Sequence, residues 1–261
     1  MRLGASMLCL QASIGAVNDL ADIEFDRVGK PAKPIPAGLV EPAVARVWAI
    51  LALALCLALA VPSGLVTVVV AVACLALGYL YDLRLSRTAF SWLPLALALP
   101  LLPVFAWVGA TGELPSGLLS LVPIAMLAGA ALLVGNGVVD VERDALAGKA
   151  TLAVRIGRRP AWLAHAAAFL IAVLAVLALA PTVPATVTSV AGSSDMDVVA
   201  AFRALRSLGV PLGALAIVAG VELLGAARPS LRERGWELEG IGTAVVGLGW
   251  LAGTALLAAG K

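Results

Sequence analysis

Residues 116–144 read SGLLSLVPIAMLAGAALLVGNGVVDVERD, an uncharged apolar run that ends in an asparagine and two aspartates. A helix needs about 20 mostly apolar residues to cross the hydrocarbon core of a bilayer. Residues 116–139 exceed that length without a single charged side chain. The stretch therefore predicts a membrane-spanning helix whose acidic side chains are gathered at one end.

The rest of the chain has a similar composition. Hydrophobic residues make up 62% of the 261 residues and charged residues 13%, whereas soluble domains average about 45–50% and about 25%. Because so few charges cannot cover a water-facing surface, the composition argues against a soluble enzyme, a disordered chain and a protein with a nucleic-acid partner. The three cysteines lie in apolar runs, and we expect small buried side chains at Cys9, Cys56 and Cys74.

Apolar runs of spanning length recur along the chain and predict eight transmembrane helices. They lie near residues 1–17, 43–60, 65–81, 92–110, 116–139, 161–180, 208–224 and 240–258. The first run leads into Asn18 and Asp19 instead of a small-residue cleavage site, so we interpret it as a retained helix and not as a signal peptide. Residues 181–197 form the longest irregular polar stretch, and residues 196–207 are typical of a short amphipathic helix. The predicted fold class is an all-α, polytopic transmembrane helical bundle.

The basic residues are divided unevenly between the predicted loops. Fourteen of the 18 lysines and arginines fall in alternate loops, and the opposite side holds only Arg2, Arg203, Arg206 and Lys261. By the positive-inside rule, the loops with fourteen basic residues are cytoplasmic. Met1 then lies on the outside, which leads us to expect that a span preceding it is missing.

Two acidic patterns share one spacing. Each is an asparagine followed by aspartates four and eight residues later: Asn18, Asp22 and Asp26, then Asn136, Asp140 and Asp144. The two copies are 118 residues apart and use the only asparagines in the chain, and four predicted spans begin with each copy. We therefore predict one domain, residues 1–261, built from two four-helix half-repeats of about 1–117 and 118–261.

The spacing of these acids predicts a cation site. Residues four apart on a helix share one face, so each pattern predicts a column of oxygen ligands at the cytoplasmic end of a span. Like charges repel in such a column, and a bound divalent cation removes the repulsion. Carboxylate and amide oxygens suit Mg²⁺, which typically shares its ligands with substrate phosphates. The predicted metal ligands are Asn18, Asp19, Asp22, Asp26, Asn136, Asp140 and Asp144.

Basic residues near the acids are candidates for binding the remaining oxygens of a diphosphate. The sequence favours Lys33, Arg84, Arg87 and Lys149 for this role, with Lys30 as a further candidate. Because the surroundings are apolar, the other end of such a substrate should be a hydrocarbon chain. The alternative remains open that the acids are solvated helix ends and that the bases only set the membrane topology.

The two patterns and their flanks resemble the motifs of the UbiA superfamily of intramembrane prenyltransferases. The first motif, NDxxDxxxD, corresponds to residues 18–26, and the KPIPAG segment that follows it corresponds to residues 33–38. The second motif, an asparagine followed by DxxxD, corresponds to residues 136–144 and continues into GKATL at residues 148–152. The resemblance covers essentially the whole chain.

This resemblance implies nine helices around a cavity open to the lipid, Mg²⁺ held by both motifs, and a prenyl diphosphate donor. It implies that the aspartates acting in catalysis are Asp22, Asp26, Asp140 and Asp144. Relative to the family pattern, we expect the first span to be missing. The chain also lacks a lysine at YxxxK spacing in the loop at residues 79–87, where Arg84 or Arg87 could substitute.

We therefore expect a Mg²⁺-dependent membrane prenyltransferase that moves a prenyl group from an isoprenyl diphosphate to a hydrophobic, aromatic or lipid-like acceptor. In such a reaction the metal stabilises the diphosphate leaving group, and apolar walls shield an allylic carbocation from water. The expected location is a membrane that the chain crosses several times, which is the plasma membrane if the source is prokaryotic, with the active-site loops in the cytoplasm. The alternatives are a membrane terpene cyclase, a secondary transporter with a parallel repeat, and an inactive scaffold.

Overall fold

The long apolar segments fold into helices because a backbone in hydrocarbon has to satisfy its hydrogen bonds internally. The computed structural model describes residues 1–179 and 196–259, and all regular secondary structure within these ranges is helical. In chain order the α-helices are α1 (Arg2–Ala21), α2 (Ile23–Gly29), α3 (Pro42–Ala60), α4 (Leu65–Leu80), α5 (Leu93–Ala98), α6 (Leu101–Thr111), α7 (Ser116–Leu119), α8 (Leu121–Val139), α9 (Val141–Leu146), α10 (Leu152–Ile156), α11 (Arg158–Leu179), α12 (Met196–Ala204), α13 (Val210–Leu224) and α14 (Pro229–Ala259).

Seven helical segments of the described chain are long and apolar enough to cross a membrane. They are Pro42–Ser63, Leu65–Leu85, Leu93–Thr111, Ser116–Val139, Arg158–Leu179, Asp197–Leu224 and Pro229–Ala258. These segments match seven of the eight predicted spans and confirm an all-α, multi-pass fold. The remaining prediction falls on α1, a 20-residue helix outside this set. Its hydropathy is lowered by Arg2, Gln11, Asn18 and Asp19.

The boundaries of three predicted elements differ in the structure. The amphipathic helix predicted at 196–207 is continuous with the next span, through a π-helical segment at Leu205–Gly209. That wider turn precedes Pro211, which has no backbone N–H to donate. The span predicted at 92–110 is divided into α5 and α6 near Pro100, and the last helix begins at Pro229 instead of near 240. Most of the irregular stretch predicted at 181–197 lies outside the described residues.

Each acidic pattern contains the same break in its helix. Asp22, between α1 and α2, has φ −101° and ψ 9°, and Asp140, between α8 and α9, has φ −99° and ψ 9°. The backbone N–H of each aspartate still donates to the asparagine four residues earlier, at 3.0 Å for Asp22 and 3.1 Å for Asp140. The helix that carries each predicted column of ligands is therefore interrupted, and the final aspartate of each pattern lies on a separate short helix. Backbone conformations near this region of φ and ψ are common at active sites.

The described chain divides into two compact units that do not coincide with the predicted half-repeats. The first unit comprises Met1–Leu114 and Val141–Arg155, and the second comprises Pro115–Asp140 and Ile156–Lys261. The division falls inside the second acidic pattern, since Asp140 ends a segment of the second unit and Val141 begins a segment of the first.

In the first unit, α1 packs against α3 and α4 and is held by hydroxyl hydrogen bonds. Ser6 Oγ donates to the carbonyl of Cys56 at 2.8 Å, and Ser13 Oγ donates to the carbonyl of Ala49 at 2.7 Å. Small side chains and hydroxyls at such contacts allow transmembrane helices to approach closely. Two of the three cysteines, Cys56 and Cys74, are buried in this core, whereas Cys9 is half-buried.

In the second unit, glycines bring α13 and α14 into backbone contact. A Cβ atom at Gly213 would lie 2.7 Å from the carbonyl oxygen of Gly242, and one at Gly220 would lie 2.6 Å from that of Gly235. The paired glycines run in opposite directions along the two helices, as an antiparallel pair requires. The two helices can pack this closely only because these four positions have no side chain.

A buried ionisable pair also lies in the second unit. His165 of α11 and Glu239 of α14 are 1% and 0% exposed, and His165 Nε2 lies 2.9 Å from Glu239 Oε1. His165 Nδ1 lies 2.8 Å from the carbonyl oxygen of Ala131. Since a carbonyl can only accept, this contact fits the ring tautomer that carries its proton on Nδ1. The sequence alone does not predict this pair, because the lone histidine is 74 residues away from Glu239.

Candidate active site

The lysine after the first acidic pattern lies between two of its carboxylates. Lys33 Nζ donates to Asp19 Oδ1 and to Asp26 Oδ2, each at 2.7 Å. Asp26 is 7% exposed, so the Lys33–Asp26 ion pair is largely shielded from solvent. Burial by itself lowers the pKa of Lys33, but the hydrogen bonds and charges of the two aspartates outweigh it, and the pKa lies above its ordinary value of 10.5. Lys33 is therefore a fixed positive charge among the predicted ligands.

Arg87 connects the loop after α4 to the break in the first pattern. Its Nη2 donates to Asp22 Oδ1 at 3.0 Å and to the carbonyl oxygen of Ala21 at 2.7 Å. Its guanidinium carbon lies 4.0 Å from the centroid of the Phe25 ring, within the range of a cation–π contact. The carbonyl of Arg87 accepts a hydrogen bond from the backbone N–H of Ala150 at 2.9 Å. The arginine thus holds Asp22 and also fixes the segment that follows the second pattern.

The last aspartate of the second pattern lies in the same unit as the first pattern. Asp144 is 8% exposed and pairs with Lys149, at 3.2 Å between Oδ1 and Nζ. Lys149 Nζ lies 5.7 Å from the Phe25 ring centroid. Phe25 is therefore the common neighbour of Arg87 and Lys149.

The other predicted site residues lie elsewhere. Arg84 and Lys30 are exposed. Asn136 and Asp140 belong to the second unit, where both are half-buried. Among the residues predicted to bind a diphosphate, the structure thus places three beside acids in the first unit and one, Arg84, on the surface.

Two contributors to this region were not predicted. Asp82 lies in the π-helical segment Tyr81–Leu85 at the end of α4, is 4% exposed, and accepts a hydrogen bond from Asn18 Nδ2 at 2.8 Å. Phe25 supplies the aromatic face under two cations. The available signal for Asp82 was its position, because a carboxylate at the end of an apolar span is costly and usually has a function.

The donor atoms suit a divalent cation even though salt bridges occupy most of them. Within residues 1–179 and 196–259, no three His, Cys, Asp or Glu side chains converge as a ready metal cluster. The buried and half-buried side chains described above in the first unit comprise five carboxylates and three cations, which leaves two negative charges. One buried oxygen, Asp82 Oδ2, has no hydrogen-bond partner. An all-oxygen donor set with two excess negative charges fits Mg²⁺.

The fold and this site define a multi-pass membrane protein with an acidic, lysine- and arginine-lined site at the ends of its helices. The model of the UbiA prenyltransferase family matches residues 2–224 of the chain. The chain therefore belongs to the UbiA prenyltransferase family, and it is an integral membrane prenyltransferase.

Several relatives share one named function. A digeranylgeranylglyceryl phosphate synthase from Methanoregula boonei is 34% identical over 212 residues, which cover 79% of this chain and 74% of that protein. One from Methanopyrus kandleri is 31% identical over 236 residues, which cover 83% of this chain and 84% of that protein.

Solved structures share the fold at low sequence identity. The apo structure of a UbiA homolog from Aeropyrum pernix K1 aligns with a TM-score of 0.70 and 18% identity, over 94% of this chain and 87% of that one. A UbiA homolog from Archaeoglobus fulgidus bound to GPP and Mg²⁺ aligns with a TM-score of 0.63 and 18% identity, over 97% of this chain and 87% of that one.

Proposed function

We propose that the protein transfers a prenyl group from an isoprenyl diphosphate to a lipid-like acceptor that carries a glyceryl phosphate. The observation that carries the proposal is the group of three cations held against carboxylates in the first unit: Lys33, Arg87 and Lys149. The acceptor class is supported by the relatives, which are named digeranylgeranylglyceryl phosphate synthases. The donor class is supported by the Archaeoglobus fulgidus homologs bound to GPP or DMAPP with Mg²⁺.

The acids are proposed to hold the cation and the bases to hold the diphosphate. Bound Mg²⁺ supplies charge neutralisation of the diphosphate leaving group. The proposed ligands are Asn18, Asp19, Asp22, Asp26, Asn136, Asp140 and Asp144, and the catalytic aspartates among them are Asp22, Asp26, Asp140 and Asp144. Lys33, Arg87 and Lys149 then exchange a carboxylate partner for a diphosphate oxygen, which a charge-assisted hydrogen bond makes favourable.

Of the two arginines in the loop after α4, we propose that Arg87 replaces the lysine expected from the family pattern. Arg87 already contacts Asp22 and the Phe25 ring, whereas Arg84 is exposed. The prenyl chain is proposed to lie among the apolar helices, which keep water away from the reacting carbon. Because basic residues crowd the loops on this side of the spans, we propose that the site faces the cytoplasm from the plasma membrane.

The test is product formation by the full chain in nanodiscs, supplied with geranylgeranyl diphosphate, geranylgeranylglyceryl phosphate and Mg²⁺. We expect diphosphate release and a doubly prenylated lipid detected by mass spectrometry. Asp22→Ala and Asp140→Ala should remove both signals, whereas Glu24→Gln, which changes an exposed acid paired with Arg27, should keep them. Unchanged turnover in both aspartate variants would contradict the proposal, and a hydrocarbon formed without any acceptor would favour a terpene cyclase.

A further inference from the structure

Asp82 is a buried carboxylate that neither acidic pattern contains. It lies in the π-helical segment at the end of α4 and is 4% exposed. The acids around it have cationic partners, since Asp19 and Asp26 pair with Lys33 and Asp22 pairs with Arg87. In the described part of the chain, no salt bridge reaches Asp82, and its Oδ2 atom has no hydrogen-bond partner. A buried carboxylate without a cation is costly, so the position calls for an additional positive charge.

The hydrogen bond to the Asp82 side chain decides how Asn18 is oriented. Asn18 Nδ2 donates to Asp82 Oδ1 at 2.8 Å. An ionised carboxylate can only accept, so the amide has to present its nitrogen to Asp82. The amide nitrogen and oxygen are at opposite ends of one planar group, which leaves Asn18 Oδ1 free of this contact and available as an acceptor. Only the oxygen of an amide can coordinate a hard cation such as Mg²⁺.

Asp82 also belongs to the same electrostatic environment as the first pattern. The charges of Asp22 and Asp19 both act on its carboxylate. Asp82 therefore adds its negative charge to the first pattern.

From these contacts we propose that Asp82 is a positioning residue of the cation site, which orients the Asn18 amide so that its oxygen binds the metal ion. The proposal rests on the proposed function and deepens it by assigning a residue outside both motifs. Carboxylates that orient a metal ligand through a hydrogen bond typically contribute about 10–100-fold in metal affinity.

The experiment measures binding of Mn²⁺, as a stand-in for Mg²⁺, to the full chain in detergent without any prenyl substrate, from the EPR signal of the free ion. We expect Asp82→Asn to weaken Mn²⁺ binding about tenfold, because a second amide can present either its oxygen or its nitrogen to Asn18. Glu24→Gln is the matched control, since it removes one negative charge at an exposed position of the same unit. Its Mn²⁺ affinity should equal that of the unmodified protein.

A double-mutant cycle separates orientation of Asn18 from a general loss of charge or of folding. If Asp82 acts through Asn18, then Asn18→Ala combined with Asp82→Asn binds Mn²⁺ no more weakly than Asn18→Ala alone. Additive losses would overturn the proposal, as would unchanged Mn²⁺ affinity in Asp82→Asn. The melting temperature without metal serves as a second readout and should not fall in Asp82→Asn, because the substitution removes a buried unpaired charge.

Failure of this inference and failure of the proposed function give different results. If the unmodified protein binds Mn²⁺ and Asp22→Ala abolishes that binding while Asp82→Asn does not change it, only the role of Asp82 is wrong. If the unmodified protein neither binds Mn²⁺ nor releases diphosphate, the proposed function itself fails.

Discussion

At the scale of single residues, the site is a set of carboxylates that are held apart by cations from other segments. Lys33 lies 2.7 Å from two of them, and Arg87 joins Asp22 to the carbonyl oxygen of the preceding residue. Repulsion between the acids is relieved in this way, and the same lysine and arginine side chains are available to a diphosphate. The charged residues, which are rare in this apolar chain, thus pair with one another.

Substitution of each of the two arginines in the loop after α4 should affect enzyme activity to a very different extent. Arg87→Ala should lower kcat/KM for the diphosphate donor by about 100-fold, a loss in the range seen when a preorganised charge stabiliser is removed. Arg87→Lys should recover only part of the loss, because an ammonium cannot reproduce the planar contact with Phe25. Steady-state kinetics of diphosphate release in nanodiscs measures both.

Arg84→Ala completes that comparison, since Arg84 is exposed and should contribute much less. A greater loss of kcat/KM in Arg84→Ala than in Arg87→Ala would assign the role to Arg84 and contradict the prediction.

At the scale of secondary structure elements, the breaks at Asp22 and Asp140 and the close pair α13–α14 shape the fold. The two breaks have almost the same backbone dihedral angles, which extends the sequence repeat to the conformation of the chain. In the α13–α14 pair, glycines on facing helices replace the side chains that would keep the backbones apart. Such contacts have no hydrophobic periodicity, so a hydropathy pattern does not reveal them.

A methyl group at one of these glycines should weaken the helix pair. Gly235→Ala places a Cβ atom 2.6 Å from the carbonyl oxygen of Gly220, a backbone atom that cannot rotate away. We expect a loss of about 1–3 kcal/mol in the free energy of unfolding, as for other overpacked sites. Unfolding in mixed micelles with increasing SDS measures it.

Gly247→Ala is the control on the same helix, because nothing lies within 4 Å of its added Cβ atom. It should be neutral or stabilising, since alanine favours a helix by about 1 kcal/mol over glycine. Equal losses at the two positions would show that close packing is not the cause.

The buried pair of α11 and α14 should contribute strongly to the free energy of unfolding. That contribution depends on a hydrogen-bond donor and an acceptor both being present. Glu239→Ala leaves His165 Nε2 buried without a partner and should cost about 3–5 kcal/mol. Glu239→Gln should cost much less, because its amide can still donate to a neutral ring. The same SDS titration compares the two variants, and equal losses would refute a hydrogen-bonded role for the pair.

At the scale of the whole molecule, the protein is a multi-pass membrane protein, and the sequence predicts that fourteen of its 18 basic residues lie on one side of the membrane. Seven segments of the described chain qualify as spans, and α1 is a further helix with more polar residues. The family match over residues 2–224 agrees with the prediction of a prenyltransferase made from two motifs. The division into half-repeats near residue 117 stays a prediction, since the compact units are divided elsewhere.

The predicted topology can be measured by labelling single cysteines in a variant without native cysteines. Leu39→Cys and Leu146→Cys, at positions 78% and 92% exposed, should react only after the membrane is permeabilised. Glu113→Cys, exposed in the loop before α7, should react with an impermeant maleimide in intact cells. Labelling of Leu39→Cys in intact cells would invert the assigned orientation.

Composition and spacing by themselves determined the all-α membrane fold, most of its spans and the two acidic patterns. They could do so because hydrocarbon imposes a length and an apolar composition on any helix that crosses it, and because uncompensated carboxylates are rare there. Only the tertiary structure distinguished Arg87 from Arg84, placed Asp82 on Asn18, and joined His165 to Glu239. These pairings link positions 64 to 74 residues apart in the chain. Contacts over such separations depend on which helices pack together, and the local pattern of apolar residues does not specify that choice.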